Sequence, residues 1–314
     1  MISGYLTEPV HYGLAVVLGL LVAASVIVTF MRMNDTENTH KELADRVKSW
    51  WVMIGVFSVA LLSSPIISVI LFGLISFLAF KEFISIIPLR RADRRVLFWA
   101  YLTIPVQYFF VATGQYGLFI VFIPVWVFFL LPFRLLMAGQ TEGFLRSVSA
   151  ISWGLMITVF AVSHAAMLMK LPLAGGTVGG PALILFLAVL NQGNDVAQYV
   201  WGKMLGKNKI MPNVSPNKTW EGFLGGVATT TVMSVLLSFF LTPFSIPFAI
   251  AVGAMLGVTG FIGDVTFSAL KRDLKIKDAG ALIPGHGGIL DRIDSLSLSA
   301  PLFFHMVRYF YYAG

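Results

Sequence analysis

The chain has 314 residues, of which 57% are apolar and only 12% charged, against about 25% charged in an ordinary soluble domain. That balance excludes a soluble globule, and the complete lack of cysteine excludes disulfides, thiolate metal sites and cysteine nucleophiles. The net charge of +7 admits nucleic acid, anionic lipid or an anionic substrate as partner, so the placement of the charges has to decide among them.

A helix needs about 20 apolar residues to cross a hydrocarbon core about 30 Å thick. Uncharged or nearly uncharged stretches run at residues 10–32, 49–63, 65–87, 96–112, 116–136, 147–170, 181–202, 219–242, 247–270 and 293–312. They predict an all-α fold, a polytopic integral membrane helical bundle of about ten transmembrane helices. Pro65, with Ser63 and Ser64, is the only sign that the second and third stretches are separate, so nine stays open. The first stretch lacks a basic leader and a small-residue cleavage site, and it reads as a retained helix.

Of the 22 lysines and arginines, 20 fall in the alternate segments 32–48, 81–95, 134–146, 203–218 and 271–292. Basic loops stay on the cytoplasmic side, which puts both termini outside. The positive charge is then a topology signal and a surface for anionic membrane lipids, and nucleic acid is not expected as a partner. Two regions follow: N-terminal transmembrane helices over 1–180, and a catalytic transmembrane region over 181–314 with cytoplasmic loops 203–218 and 271–292. Acidic residues of the first region sit near the termini or in loops. Those of the second include Asp195 and Asp264, both inside apolar stretches.

A carboxylate within a membrane helix costs about 2.5–3.5 kcal/mol on insertion scales, so each of these two needs a compensating role. Asn191, Asn194, Asp195 and Gln198 share one helical face. That stripe is either an interhelical hydrogen-bond seam or part of a substrate or metal site. One turn after Asp264 comes Ser268, followed by Lys271 and Arg272 along the same edge, an arrangement suited to a metal and phosphates. The loop at 203–218 ends in Ser215, Pro216, Lys218 and Thr219, where Thr219 can cap the next helix and Lys218 can attract an anion. Residues 268–294 set Lys271, Arg272, Lys275, Lys277 and Arg292 among Asp273, Asp278, Asp291 and Asp294, with Gly285, His286, Gly287 and Gly288 between. Carboxylates at 264 and 291, brought together by a returning loop, can share a divalent cation with a triphosphate, and magnesium favours such oxygen ligands.

This last segment resembles the signature of the phosphatidate cytidylyltransferases, also called CDP-diacylglycerol synthases. The resemblance rests on Ser268, Lys271, Arg272, Lys277, Asp278, Gly280, Pro284, His286, Gly287, Gly288, Asp291, Arg292 and Asp294. The run 215–222 and the segment of Asp195, Tyr199 and Gly202 resemble two further stretches of that family, so the likeness covers roughly residues 190–300. Gln198 stands where the family has alanine and Phe267 where many bacterial members have glutamate; with the long N-terminal half, these make the chain look like a divergent bacterial paralogue.

The resemblance implies CTP and phosphatidate as substrates, and CDP-diacylglycerol and pyrophosphate as products, on the cytoplasmic face of the cell inner membrane. It implies Mg2+ on Asp264 and Asp291 with Ser268 in support, leaves room for a second metal ion of unknown identity, and leaves a homodimer open. It also implies catalytic roles for Lys271 and Arg272. Ser215, Lys218, Lys277 and Arg292 fall to triphosphate or phosphatidate binding, and His286 to loop organisation or phosphate contact. Asp195 is then a metal or nucleotide contact, or the partner of one of these cations. A CTP-dependent lipid kinase and a cytidylyltransferase for another lipid phosphate share this logic. An ion-coupled transporter would use Asp195 and Asp264 as a pathway, but the cluster at 268–294 and the lack of inverted repeats speak against it.

Overall fold

The computed structural model describes residues 8–33, 41–90, 93–137, 139, 141–171, 179–280, 282–283, 285 and 287–311. Helices α1 (Glu8–Met33), α2 (Lys41–Ser63), α3 (Pro65–Ile86) and α4 (Arg94–Thr113) come first. Two rods with widened turns follow. In the first, α5 (Tyr116–Val121) continues through the π-helical turn Phe122–Val127 into α6 (Phe128–Leu136). In the second, α7 (Phe144–Leu155) continues through Met156–Phe160 into α8 (Ala161–Met167) and a short 3-10 turn. Next come α9 (Gly180–Leu205), a hairpin of β1 (Lys209–Met211) and β2 (Ser215–Thr219), α10 (Trp220–Leu241), α11 (Ile246–Asp273) and α12 (Leu296–Tyr311).

Eight of these rods are long and apolar enough to cross a membrane by length and composition: Pro9–Met31, Leu43–Ser63, Pro65–Ile86, Arg94–Thr113, Tyr116–Leu136, Phe144–Lys170, Trp220–Leu241 and Ile246–Asp273. The other two are α9, whose apolar run is broken by its polar stripe, and α12, which has 16 residues. The protein is therefore the expected all-α polytopic membrane bundle, with each of the ten apolar stretches a rod of its own. The second and third are separate: Pro65 opens α3, where its missing N–H forfeits no helical bond, and Ser68 Oγ donates to the Ala60 carbonyl at 2.8 Å across the corner.

Two local expectations change. The segment 203–218 is not only a loop, because β1 and β2 pair antiparallel with Lys209 opposite Thr219 and Met211 opposite Ser215. Glu82 is not a loop residue: α3 continues to Ile86, within the apolar stretch 65–87, and carries Lys81 and Glu82 on its last turns.

The basic segments meet at one end of the bundle. Arg46 Nε of α2 donates to the Gly285 carbonyl at 3.2 Å, Arg272 Nε at the end of α11 donates to the Val214 carbonyl of the hairpin at 3.3 Å, and Glu82 of α3 accepts from the Leu290 N–H at 2.8 Å. At the other end the Ser245 N–H, just ahead of α11, donates to Tyr311 Oη of α12 at 2.8 Å. The centre is filled by α8, buried along its whole length, and by the first half of α9, buried from Gly180 to Leu187. By contrast α1 and α2 line the perimeter and present Tyr12, Val16, Leu20, Val52, Val56 and Val59 outward, as helices facing lipid do.

Candidate active site

The polar stripe of α9 divides into two parts. Its upper part is a seam: Asn191 Nδ2 donates to Ser299 Oγ of α12 at 2.8 Å, while Asn194 donates to the Gly257 carbonyl of α11 at 3.3 Å and accepts from Thr230 Oγ1 of α10 at 3.1 Å. Its lower part faces ionised groups. Gln198 Oε1 accepts from Lys218 Nζ at 3.0 Å, and Ser295 Oγ lies 3.2 and 3.4 Å from the two oxygens of Asp195. One helix face thus serves as interhelical glue and as the wall of a charged site.

Lys218 reaches this site because β2 ends immediately before α10. Thr219 Oγ1 accepts from the Gly222 N–H at 3.1 Å, a helix N-cap that fixes where the strand stops. From there Lys218 Nζ pairs with Asp264 Oδ2 at 2.6 Å and lies 5.7 Å from the centre of the Phe261 ring. Ser268 Oγ, one turn along α11, makes a long contact of 3.4 Å to Asp264 Oδ1. Asp264 keeps about a quarter of its side-chain surface exposed and so remains open to a ligand.

Close packing brings the remaining charges in. A Cβ on Gly260 would stand 2.7 Å from Asn194 Nδ2, and one on Gly263 would collide with the Asp294 carbonyl. With only hydrogen at these two positions, α9 and the turn before α12 press directly on the α11 backbone. Asp195, Asp264 and Asp294 are thereby gathered at one place on the α11 face, with Lys218 paired to Asp264 and Ser295 to Asp195. Arg292 Nε is buried and has no hydrogen-bond partner among the described residues.

Asp291 forms a second centre. Its Oδ1 accepts from Lys271 Nζ at 2.8 Å, and its Oδ2 accepts from the N–H groups of Ala279 and Gly288 at 3.0 and 3.1 Å. The structure therefore brings Asp264, Ser268 and Lys218 together, with Asp195 and Arg292 at the same group, and holds Lys271 with Asp291 as a separate pair; among the described residues no contact joins Asp264 to Asp291, which the sequence pattern expects to share a cation. Ser215 begins β2, Arg272 is engaged with the hairpin backbone, and Lys277 is exposed; none of the three touches either carboxylate centre in the contacts found. His286 lies outside the described residues. Among the described residues, no three acidic, histidine or cysteine side chains converge into a ready-made metal cage.

With this geometry in place, comparison with known proteins is decisive. The sequence model of the cytidylyltransferase family matches residues 44–310. The chain belongs to the cytidylyltransferase family. It is a membrane-embedded nucleotidyltransferase that takes its cytidylyl group from CTP. It is 42% identical over 296 residues to the uncharacterized protein YnbB of Escherichia coli, a match that covers 94% of this chain and 97% of that one. Its identity to the phosphatidate cytidylyltransferase of Bacillus subtilis is 38% over 132 residues, or 42% of this chain and 49% of the relative. For the phosphatidate cytidylyltransferase of Pseudomonas aeruginosa it is 42% over 152 residues, or 48% and 54%. The chain thus aligns end to end with one relative and over about half of the others, which is the pattern of a divergent branch.

The sequence alone assigns no site role to three residues found here. Asp294 stands in the charged cluster and the family signature, with Ser295 beside it, but their part depends on the Gly263 contact, which no linear pattern reveals. Glu82 was hidden by being placed in a loop. The available signal was a single carboxylate ending an otherwise apolar helix, in Phe77-Leu78-Ala79-Phe80-Lys81-Glu82.

Proposed function

We propose that the enzyme transfers the cytidylyl group of CTP to phosphatidate, giving CDP-diacylglycerol and pyrophosphate, on the cytoplasmic side of the cell inner membrane. The observation that carries this reading is the Lys218–Asp264 pair set against Asp195, Asp294 and Arg292 at the basic end of a membrane bundle. Cations there meet phosphate oxygens within reach of a lipid headgroup, and the named phosphatidate cytidylyltransferases among the relatives support the choice of acceptor.

The lipid phosphate is already an anionic nucleophile, so catalysis consists of positioning and charge neutralisation. One phosphatidate oxygen forms a bond to the α-phosphorus of CTP while the bond from that phosphorus to the bridging oxygen of the β-phosphate breaks, and the electron pair leaves with pyrophosphate. No proton needs to move. Lys218, Lys271 and Arg292 neutralise the incoming phosphates, and the unpartnered Nε of Arg292 offers a donor that a phosphate oxygen satisfies. Arg272 and Lys277 extend the positive surface on which the triphosphate lands, Ser215 offers a hydroxyl, and His286 is assigned to phosphate contact by its place in the sequence. Asp195 holds its place through Ser295 and balances the cations.

The donors are of the kind magnesium takes: Asp264 and Ser268 offer carboxylate and hydroxyl oxygens, and Asp264 keeps about a quarter of its side-chain surface open. Asp264 with Ser268 would hold such an ion, Asp291 would join them on release from Lys271, and the ion would supply charge neutralisation at the triphosphate. A homodimer and a second metal ion are compatible with this scheme and no part of it depends on them.

The test is purified protein with labelled CTP and a panel of lipid phosphates, with and without magnesium. CDP-lipid and pyrophosphate support the reading; phospholipid and CDP identify a lipid kinase instead. For orientation, cysteines introduced at Pro212 and at Gln115 of this cysteine-free chain should be labelled only from the cytoplasm and only from outside, respectively.

A further inference from the structure

We propose that Glu82, on the last turns of α3, is a positioning residue that sets the glycine-rich loop of the active site from the N-terminal half of the chain. The inference rests on the proposed cytidylyl transfer. Glu82 Oε2 accepts from the Leu290 N–H at 2.8 Å, across the bundle from its own helix. Its carboxylate also occupies the space over two loop glycines. A Cβ on Gly280 would stand 2.8 Å from Glu82 Oε1, and one on Gly288 would overlap Oε2.

The loop is gripped from two sides. Asp291 ties Ala279 to Gly288 from within, and Glu82 ties Leu290 from without. The two residues that follow Leu290 do the work that the site requires, since Asp291 holds Lys271 and Arg292 carries the unpartnered Nε. Among the described residues, Glu82 makes no hydrogen bond or ion pair with either of those side chains. Its effect passes through the backbone: with Leu290 N–H fixed, Asp291 and Arg292 are presented at one height relative to Lys218 and Asp264. A displacement of about 1 Å in such a site can cost about a hundredfold in rate.

Two substitutions separate reach from charge. Glu82→Gln keeps the length and an acceptor oxygen but loses the charge; Glu82→Asp keeps the charge and loses one methylene of reach. Glu82→Ala loses both. Positioning through Leu290 predicts that Glu82→Ala and Glu82→Asp lower kcat at least about tenfold, with a smaller change in KM for CTP, and that Glu82→Gln stays within about threefold of the parent.

A readout independent of turnover is amide hydrogen exchange in detergent micelles. The Leu290 amide should exchange at least about tenfold faster in Glu82→Ala and Glu82→Asp, with near-parent protection in Glu82→Gln and along α3. If Glu82→Gln is as impaired as Glu82→Ala while Glu82→Asp is active, the charge acts rather than the hydrogen bond and the proposal falls. Unchanged Leu290 exchange in Glu82→Ala overturns it as well. If the parent chain does not turn over CTP with any lipid phosphate, the function reading fails, and exchange at Leu290 still decides whether Glu82 holds the loop.

Discussion

The two ends of the chain solve the membrane in opposite ways. In α1, 17% of the apolar window is buried in the bundle, whereas in α11 the figure is 56%. α1 meets lipid with side chains, and Gly19 has nothing near its Cβ position. α11 meets protein with its backbone, and Gly260 and Gly263 admit neighbours that any side chain would exclude. The difference shows what ionised groups in a bilayer require. Asp264 is tolerable because a lysine and a hydroxyl lie against it, and the same partners give it chemistry to perform.

The largest effect should come from removing the enclosed carboxylates. Asp264→Asn and Asp291→Asn are each expected to lower CDP-lipid formation by about a thousandfold or more, with chains that still elute as monodisperse protein. Chelation of divalent metal should silence the parent enzyme to the same degree. Full turnover in a chelator would remove the metal from the scheme and leave the lysines to carry the charge alone.

Next in size are the cations. Lys218→Ala and Lys271→Ala should each reduce kcat/KM by about a hundredfold, since each lysine is held by a carboxylate at the site. Arg272→Ala should lose less, because its contact is to the hairpin backbone. Arg94→Ala and Arg95→Ala at the start of α4 should stay within about threefold, as residues of topology rather than chemistry. Equal losses at all five positions would mean that basic residues act only by attracting anionic lipid, and the contrast between the two regions would dissolve.

The glycines give a smaller and purely structural contrast. Gly263→Ala drives a methyl into the Asp294 carbonyl and should cost about 1–3 kcal/mol as overpacking, lowering activity with it. Gly19→Ala in the open face of α1 should be neutral, or stabilising by up to about 1 kcal/mol through helix propensity. Thermal denaturation of the two variants side by side reads the difference directly.

What was legible in the sequence is what periodicity and charge encode locally. The ten apolar stretches, the separation at Pro65, the shared face of Asn191, Asn194, Asp195 and Gln198, and the cap at Thr219 all follow from neighbours within a turn or two. The hairpin was missed because its two strands are short and its lysines read as a topology loop. The parts played by Glu82 and Asp294 are hidden for a different reason: each makes contacts between segments far apart in sequence, at places where a glycine leaves room. The sequence marks Lys218 as an anion site beside a helix start; its pairing with Asp264, 46 residues away, is a contact that no local pattern reveals.

The smallest effect on turnover is expected at a charge network that resembles the active site in form only. Asp93 is fully buried at the head of α4, where its carboxylate accepts from Arg90 Nη2 at 2.8 Å, from the Arg90 N–H at 2.9 Å and from Ser147 Oγ at 2.7 Å. Burial by itself would raise its pKa, but the hydrogen bonds from Arg90 and Ser147 outweigh it and hold the carboxyl below its ordinary value. The native group thus stays ionised at pH values where the unfolded one takes a proton. Its contribution is complete above the ordinary carboxylate value of 3.8 and is lost as pH falls through the lower native value. Asp93→Asn should therefore lower the melting temperature at neutral pH by several degrees, with turnover of the surviving protein near that of the parent. The gap between variant and parent should narrow only in strong acid. A gap that instead opens or closes between pH 5 and 8 would show that another group sets the stability there, and a large loss of turnover at neutral pH would extend the active site to the α3–α4 corner.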